Sequence, residues 1–370
     1  MKILHIISGL GSGGAQKLLE DLLPIMSAQG DNKIDLLVLN DKNRKFDKKL
    51  IASGIKIHAI NLNSQYNPLN IFYIIKFLKN NKYDIAHVHL FPTVYWVSLA
   101  SRFIKKNRPI LVYTEHSTHN RRREKRIFKY IDTFMYSMYD KIISISNKTE
   151  KYLLDWLNVS EERNNKFQVI YNGVDIKKFL TANPYSKKKI KTFFEDNDYL
   201  LCMVGRFSKQ KDQMTVIRAM SKLSNNYHLL LIGEGKLLGQ CKELVENMGL
   251  NDRVHFLGFR SDIERIYKTV DLIILSSHWE GFGLAAVEGM ASGKPVIASR
   301  VDGLSEVVEG AGVLFNKGDF DDLAYLINNI IHDRHRYEEI ANKSSKRSEL
   351  YSIKDMANKY LKVYSKLRED

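Results

Sequence analysis

Cysteine is nearly absent from this chain: there are two in 370 residues, Cys202 and Cys241. Two thiols cannot build a disulfide framework, so a reducing, cytoplasmic setting is the expectation. Long apolar runs are missing as well, and no stretch approaches the ~20 residues that a spanning helix needs. The opening run Ile3-Leu4-His5-Ile6-Ile7 breaks at Gly9, which reads as a first strand rather than a leader. Neither internal repeats nor low-complexity tracts appear. What is in excess is positive charge, 57 Lys and Arg against 42 Asp and Glu, a formal net charge of +15. Such a balance points to an anionic partner: a nucleoside diphosphate, a phospholipid surface or a nucleic acid. The cations are spread along the whole chain without a nucleic-acid reading motif, so that last class is set aside. The length suits two domains.

Short apolar runs of strand type alternate with helical patterns. Residues 2–7, Ile34 to Leu39, Ile55 to Ile60, Ile85 to His89, Ile110 to Thr114, Ile142 to Ser146 and Phe167 to Ile170 read as strands. Leu18, Leu19, Leu22, Leu23 and Met26 mark one intervening helix, and Ile71 to Leu78 and Thr93 to Phe103 mark two more. The alternation predicts an α/β fold with parallel, doubly wound sheets. A second series starts at Tyr199 to Val204 and continues through His228 to Ile232 and Val254 to Arg260. The final helix, about Ser352 to Leu367, places Met356, Tyr360, Leu361 and Tyr364 at helical spacing.

One stretch organises the rest. Val270 to Leu275 is a buried-strand run, Ser276 to Gly283 a loop, and the following residues to Ala291 a helix that stops at Gly293 and Pro295. Gly281 and Gly283 let backbone approach a ligand closely, and the free N–H groups beyond them suit an anion or sugar oxygens. Glu280 in the loop and Glu288 in the helix supply carboxylates that accept hydrogen bonds from neighbouring hydroxyls. Arg206 and Lys211, five apart just beyond a strand, can clamp a diphosphate.

A rival reading rests on Gly9, Gly11 and Gly14, which satisfy the G-x-G-x-x-G dinucleotide fingerprint between a strand and a helix, with Asp41 as the ribose acid. It implies a nicotinamide-dependent oxidoreductase, and it has no use for Arg206, Lys211 or Glu280. Asp196-Asn197-Asp198 has the form of a metal-holding D-x-D but precedes its strand, and it reads as a turn. His87 and His89 alternate on a strand and fit either buried, satisfied histidines or a site. Asn120 to Arg126 is a basic stretch ahead of an amphipathic helix containing Ile127, Phe128, Tyr130, Ile131, Phe134, Met135 and Met138. It fits an anionic membrane surface or, equally, a basic loop solvating an entrance.

Glu280 and Glu288, with seven residues between them and Gly281-Phe282-Gly283-Leu284 as the filling, resemble the signature of glycosyltransferase family 4. Gly13-Gly14-Ala15-Gln16 is similar to that family's Gly-Gly-Ala-Glu loop, with Gln16 departing from the usual acid. Asn172-Gly173-Val174-Asp175 resembles its hinge turn, and His116, Arg206 and Lys211 match its positions. The resemblance implies a GT-B fold, with two Rossmann-like domains facing across a cleft and a C-terminal helix crossing back to the first. The expected divisions are 1–175 for the acceptor side, 176–350 for the nucleotide sugar and 351–370 for the returning helix. It further implies a retaining hexosyltransferase that needs no metal or other cofactor, because Arg206, Lys211 and the helix N-terminus at Phe282 to Leu284 stabilise the departing diphosphate. By the same resemblance Glu288 holds the ribose, Glu280 the donor sugar and His116 the sugar near its reacting carbon. Gly13 and Gly14 face the phosphates, and Phe259 and Arg260 pass the base. Gly289, which replaces the usual Ala, and Asp302-Gly303 are expected near the donor, where they affect sugar choice. UDP-sugars are the favoured donors, GDP-mannose the alternative. A lipid-linked surface-glycan precursor is the expected acceptor, a small soluble one the alternative, and peripheral attachment to the inner membrane face goes with the former.

Overall fold

The structure, a computed structural model, describes every residue except Ser12, Asn43, Asn63, His119, 161–164 and Asp370, and describes Arg121 by its backbone alone. Ser12, in the glycine-rich loop, therefore lies outside the described residues. The chain divides into two compact units, 1–173 with 353–370, and 174–352.

The first unit is built on seven strands: β1 (Lys2–Ile7), β2 (Lys33–Val38), β3 (Lys56–Ala59), β4 (Ile85–His89), β5 (Ile110–Glu115), β6 (Lys141–Ser144) and β7 (Phe167–Val169). Their order is β3-β2-β1-β4-β5-β6-β7, and every pairing is parallel. Near-continuous apolar runs such as β1 and the first four residues of β5 follow from burial on both sheet faces. Helices cover those faces, and the Ile353–Glu369 helix, which comes last in sequence, is one of them. Its Met356, Ala357, Tyr360, Val363 and Tyr364 recur at three- and four-residue intervals and are all buried, and it packs on the Gly14–Ser27 helix. The helix expected over Thr93 to Phe103 ends at Ser101.

The second unit has six strands: β8 (Tyr199–Val204), β9 (Tyr227–Ile232), β10 (Val254–Gly258), β11 (Leu272–Leu275), β12 (Val296–Ser299) and β13 (Val313–Phe315). Their order is β10-β9-β8-β11-β12-β13, again all parallel. In each unit the strand order reverses at one place, between β1 and β4 and between β8 and β11. At a reversal the loops leaving the carboxyl ends diverge and open a crevice, where such sheets bind ligands. Both glycine-rich loops of the sequence leave strands at these points. Asp196 to Asp198 forms a turn, with the Asp198 carboxylate accepting from the Glu195 N–H at 2.8 Å. Among the described residues no helix is long and apolar enough to cross a membrane.

Candidate active site

In the second unit the loops after β8 and β11 are stitched together. The Lys211 ammonium is ion-paired with Glu280 Oε1. Ser277 Oγ donates to the same carboxylate oxygen at 2.7 Å, and Gln210 Nε2 donates to the Trp279 carbonyl at 3.1 Å. The His278 N–H donates to the Gln210 carbonyl at 2.7 Å, and Ser276 Oγ to the Asp212 carbonyl at 2.7 Å. Glu280 is buried and Arg206 exposed. Of the residues the sequence singles out, the structure brings Lys211 and Glu280 together and leaves Arg206 exposed in the loop after β8; the sequence did not single out Gln210, Ser276 and Ser277. Small polar residues in loops carry no periodic signal, and only the pairing of β8 with β11 makes them partners.

Beyond Glu280 the backbone turns sharply into the Leu284–Ala291 helix. Gly283 has φ +94°, and a Cβ there would run into the Leu304 side chain. Gly303, with φ +80°, lies so close that a Cβ would overlap the Glu280 carbonyl, so Asp302-Gly303 braces this turn. Gly281 is buried in it. Phe282 is only 2% exposed and packs edge-on to Tyr351 at 5.2 Å, so its backbone is the part that can meet a ligand. Leu284 and Glu288 are half-buried on the helix. Burial pushes the Tyr267 phenol well above its ordinary range, with Cys202 and the Glu288 carboxylate adding to the effect.

One expectation is corrected. Gly289 does not bear on the donor, because a Cβ there would meet Ile273 and Val296 at 2.9–3.2 Å. Its lack of a side chain lets the helix lie close on β11 and β12. Beyond β10, Phe259 is exposed, while the Arg260 side chain is committed to Asp262 at 2.5–2.8 Å.

In the first unit, Gly13 caps the Gly14–Ser27 helix with extended backbone after β1, and Gln16 is half-buried on that helix. Asp41, the ribose acid of the oxidoreductase reading, is ion-paired with Arg44. His116 stands one residue past β5 and is half-buried, with its Nε2 3.1 Å from His89 Nδ1. Burial lowers its pKa to about 4, so the ring is neutral at pH 7. Glu115 is the last residue of β5 rather than the first of the loop.

The basic stretch, which the sequence reads as facing an anionic membrane or solvating an entrance, is turned partly inward. Arg122 pairs with the fully buried Asp132 at 3.0 Å and lies over the Phe91 ring at 4.1 Å. Arg123 pairs with buried Glu115 at 2.7 Å. Asp132 also accepts from Tyr95 and from Trp156 Nε1. These carboxylates lie inside the unit, and each has a largely buried guanidinium paired with it. Lys125 and Arg126 remain exposed, as do Ile127, Tyr130 and Phe134 on the helix that follows, Ile127–Ser137.

Residues 12–178 match the family described as "Glycosyltransferase Family 4", and residues 185–347 the one described as "Glycosyl transferases group 1". The chain is 29% identical over 274 residues, 70% of each chain, to the UDP-Gal:alpha-D-GlcNAc-diphosphoundecaprenol alpha-1,3-galactosyltransferase of Escherichia coli. It is 25% identical over 335 residues, 86% of each chain, to the N-acetyl-alpha-D-glucosaminyl L-malate synthase of Bacillus anthracis. Among solved structures, that of Anabaena Alr3699/HepE in complex with UDP-glucose superposes with a TM-score of 0.83 at 24% identity, over 99% of this chain and 100% of that one.

Proposed function

Because the chain belongs to the family 4 glycosyltransferases of GT-B fold, we propose that it moves a hexose or N-acetylhexosamine from a nucleotide diphosphate sugar to a hydroxyl, with retention at the anomeric carbon. The observation that carries this reading is the Lys211–Glu280 pair at the β8/β11 reversal. It holds a cation and a carboxylate beside a helix N-terminus, so that one end favours phosphate and the other sugar hydroxyls.

In this reading Arg206, Lys211 and the first N–H groups of the Leu284–Ala291 helix stabilise the departing diphosphate, and in the first unit Gly13 and Gly14 offer backbone donors to an anion. Those cations fill the role that a divalent ion fills elsewhere, and no metal is required. Glu288 holds the ribose, Glu280 the sugar, and backbone at Phe259 and Arg260 the base; His116 meets the sugar near its reacting carbon. Attack comes from the same face as departure: the carbon–phosphate-oxygen bond breaks, a bond to the acceptor oxygen forms, and the acceptor's proton passes to the leaving phosphate. Donor arrival makes Lys211 exchange Glu280 for phosphate, which frees that carboxylate for the sugar.

A UDP-sugar is the favoured donor and a lipid-diphosphate-linked glycan precursor the favoured acceptor, in line with the Escherichia coli relative's substrates. The exposed Ile127, Tyr130 and Phe134, beside Lys125 and Arg126, support peripheral attachment to an anionic membrane. The first unit then takes the acceptor and the second the donor. The N-acetyl-alpha-D-glucosaminyl L-malate synthase of Bacillus anthracis, whose name joins the sugar to malate, supports a second reading with a small soluble acceptor.

A thermal-shift screen against UDP, GDP, ADP, NAD and NADP, with and without EDTA, tests the class. We expect an EDTA-insensitive shift with one nucleoside diphosphate, lost in Glu288→Ala and Arg206→Ala. A shift with NAD or NADP alone would sink the reading in favour of the Gly9-Gly11-Gly14 fingerprint, and a trapped glycosyl–enzyme adduct would remove the same-face mechanism.

A further inference from the structure

Three parallel neighbours in the first unit bring four histidines together. His5 on β1 is in register with His87 on β4, and His89 at the end of β4 is in register with Thr114 on β5. His5 Nδ1 lies 3.0 Å from His89 Nε2, and His89 Nδ1 lies 3.1 Å from His116 Nε2. The rings thus form a chain, His5–His89–His116, whose first two members are fully buried.

We propose that His89 and His5 are positioning residues that fix the tautomer of His116, placing its proton on Nδ1 so that the ring offers a donor to a ligand oxygen.

A neutral imidazole carries one N–H and one lone pair, and each contact in the chain needs one of each. Choosing the proton position on one ring therefore fixes all three. In one arrangement every ring is protonated on Nε2, and in the other every ring on Nδ1. The two differ at the buried end, where His5 Nε2 has no hydrogen-bonding partner among the described residues. The first arrangement buries an N–H there with no protein acceptor, and the second only an unused lone pair. An orphaned buried N–H is the rarer and costlier outcome. Charged rings do not enter: burial lowers His5 to about 3 and His89 well below its ordinary value. His87 does not compete, since its nitrogens contact the Tyr364 hydroxyl and Thr114 Oγ1, and hydroxyls adapt to either tautomer.

Nitrogens of His5, His87 and His89 also lie within 4.8 Å of one another, a spacing open to a metal ion. An ion there would have to take nitrogens engaged in the chain, and the group has no carboxylate to balance its charge.

The proposal deepens the transferase reading and rests on it in one respect, that the oxygen met by His116 belongs to the sugar. A His116 that donates through Nδ1 cannot take the acceptor's proton there, which leaves that proton to the departing phosphate.

Long-range ¹H–¹⁵N correlation spectra of ligand-free, ¹⁵N-histidine-labelled full-length protein at pH 7 read the tautomers directly, with single His→Gln variants for assignment. We expect His5, His89 and His116 all protonated on Nδ1. In His5→Leu the His116 signals should move toward the Nε2–H form and transfer kcat/KM should fall about tenfold, with nucleoside diphosphate binding unchanged. In His5→Asn, whose amide still donates to His89, the Nδ1–H form and the rate should return. An Nε2–H or averaged His116 in the wild type overturns the proposal, as does Zn²⁺ that binds stoichiometrically and displaces these signals. An Nδ1–H His116 with undiminished transfer in His5→Leu would uphold the tautomer and remove His116 from the sugar.

Discussion

Buried and half-buried ion pairs do different work in the two units, and single substitutions separate them. Lys211 is partly accessible and Glu280 is not. Lys211→Ala should therefore strand a buried carboxylate and cost about 1–3 kcal/mol of stability, and it should lower kcat/KM by about 10²–10³ through loss of diphosphate stabilisation. Urea unfolding of Lys211→Ala, Glu280→Gln and the double variant checks this. The double variant should be less destabilised than the sum of the two, and additive losses would mean that the pair does not couple. Arg122 gives the contrasting case, a cation inside the fold. Arg122→Ala leaves Asp132 fully buried and short of a partner, and should cost about 3–5 kcal/mol in the same assay. Its inward turn was not legible in the sequence, where Asn120 to Arg126 reads as a surface charge run. The partner carboxylates are revealed only by the helix that carries Asp132 and by the strand that carries Glu115.

Among elements, the Leu284–Ala291 helix and its flanking turns depend on glycine for two separable reasons, shown by Gly293 just past the helix and by Gly303, which packs on the turn that enters it. Gly293 and Gly303 both have positive φ, but a Cβ on Gly293 would meet nothing within 4 Å, whereas one on Gly303 would strike Glu280. Gly293→Ala should cost only the backbone preference, about 1 kcal/mol, and leave donor KM alone. Gly303→Ala should cost more in urea unfolding and raise donor KM, because it shifts the residue that carries the carboxylate. Equal effects in both variants would show that Gly303 does not brace the site. This element was the most legible part of the chain, since strand, loop, glycines and helix stop lie contiguous in sequence. Strand order was not legible, and with it went the Gln210, Ser276 and Ser277 contacts and the histidine chain. Those depend on which parallel strands are neighbours, a fact that local periodicity does not carry. Gly289 was misread for a related reason: a motif position says nothing about whether a missing Cβ faces ligand or sheet.

At the scale of the whole molecule, the buried histidines set an acid limit. His5 and His255 are buried, with pKa lowered to about 3 and about 4, mainly by burial. Below pH ~6.5 their unfolded forms bind protons that the folded forms do not, so stability falls as pH drops toward the folded values. Each should contribute a slope of about 1.4 kcal/mol per pH unit in that window. The urea midpoint should therefore decline steeply between pH 6.5 and 4 and stay flat from pH 7 to 8, and a flat acid limb would mean that these rings are solvated. The division into two units predicts a second asymmetry. Truncation after Ser352 removes the buried Met356, Tyr360 and Tyr364 from the first unit. It should lower that unit's melting transition while the nucleotide-induced shift of the second survives.

The first unit is discontinuous, and this orders its biosynthesis. Its seven strands are all in place by Val169, yet the Ile353–Glu369 helix, one of those that cover them, is translated only after the entire second unit. Chains emerging from the ribosome therefore carry a finished sheet with an uncovered apolar seam for the time it takes to make 174–352, which is when a holdase has most to protect. A stop codon anywhere in the second unit yields a nascent product whose first unit can never close, so premature termination should send this chain to aggregation or proteolysis rather than to a stable N-terminal fragment.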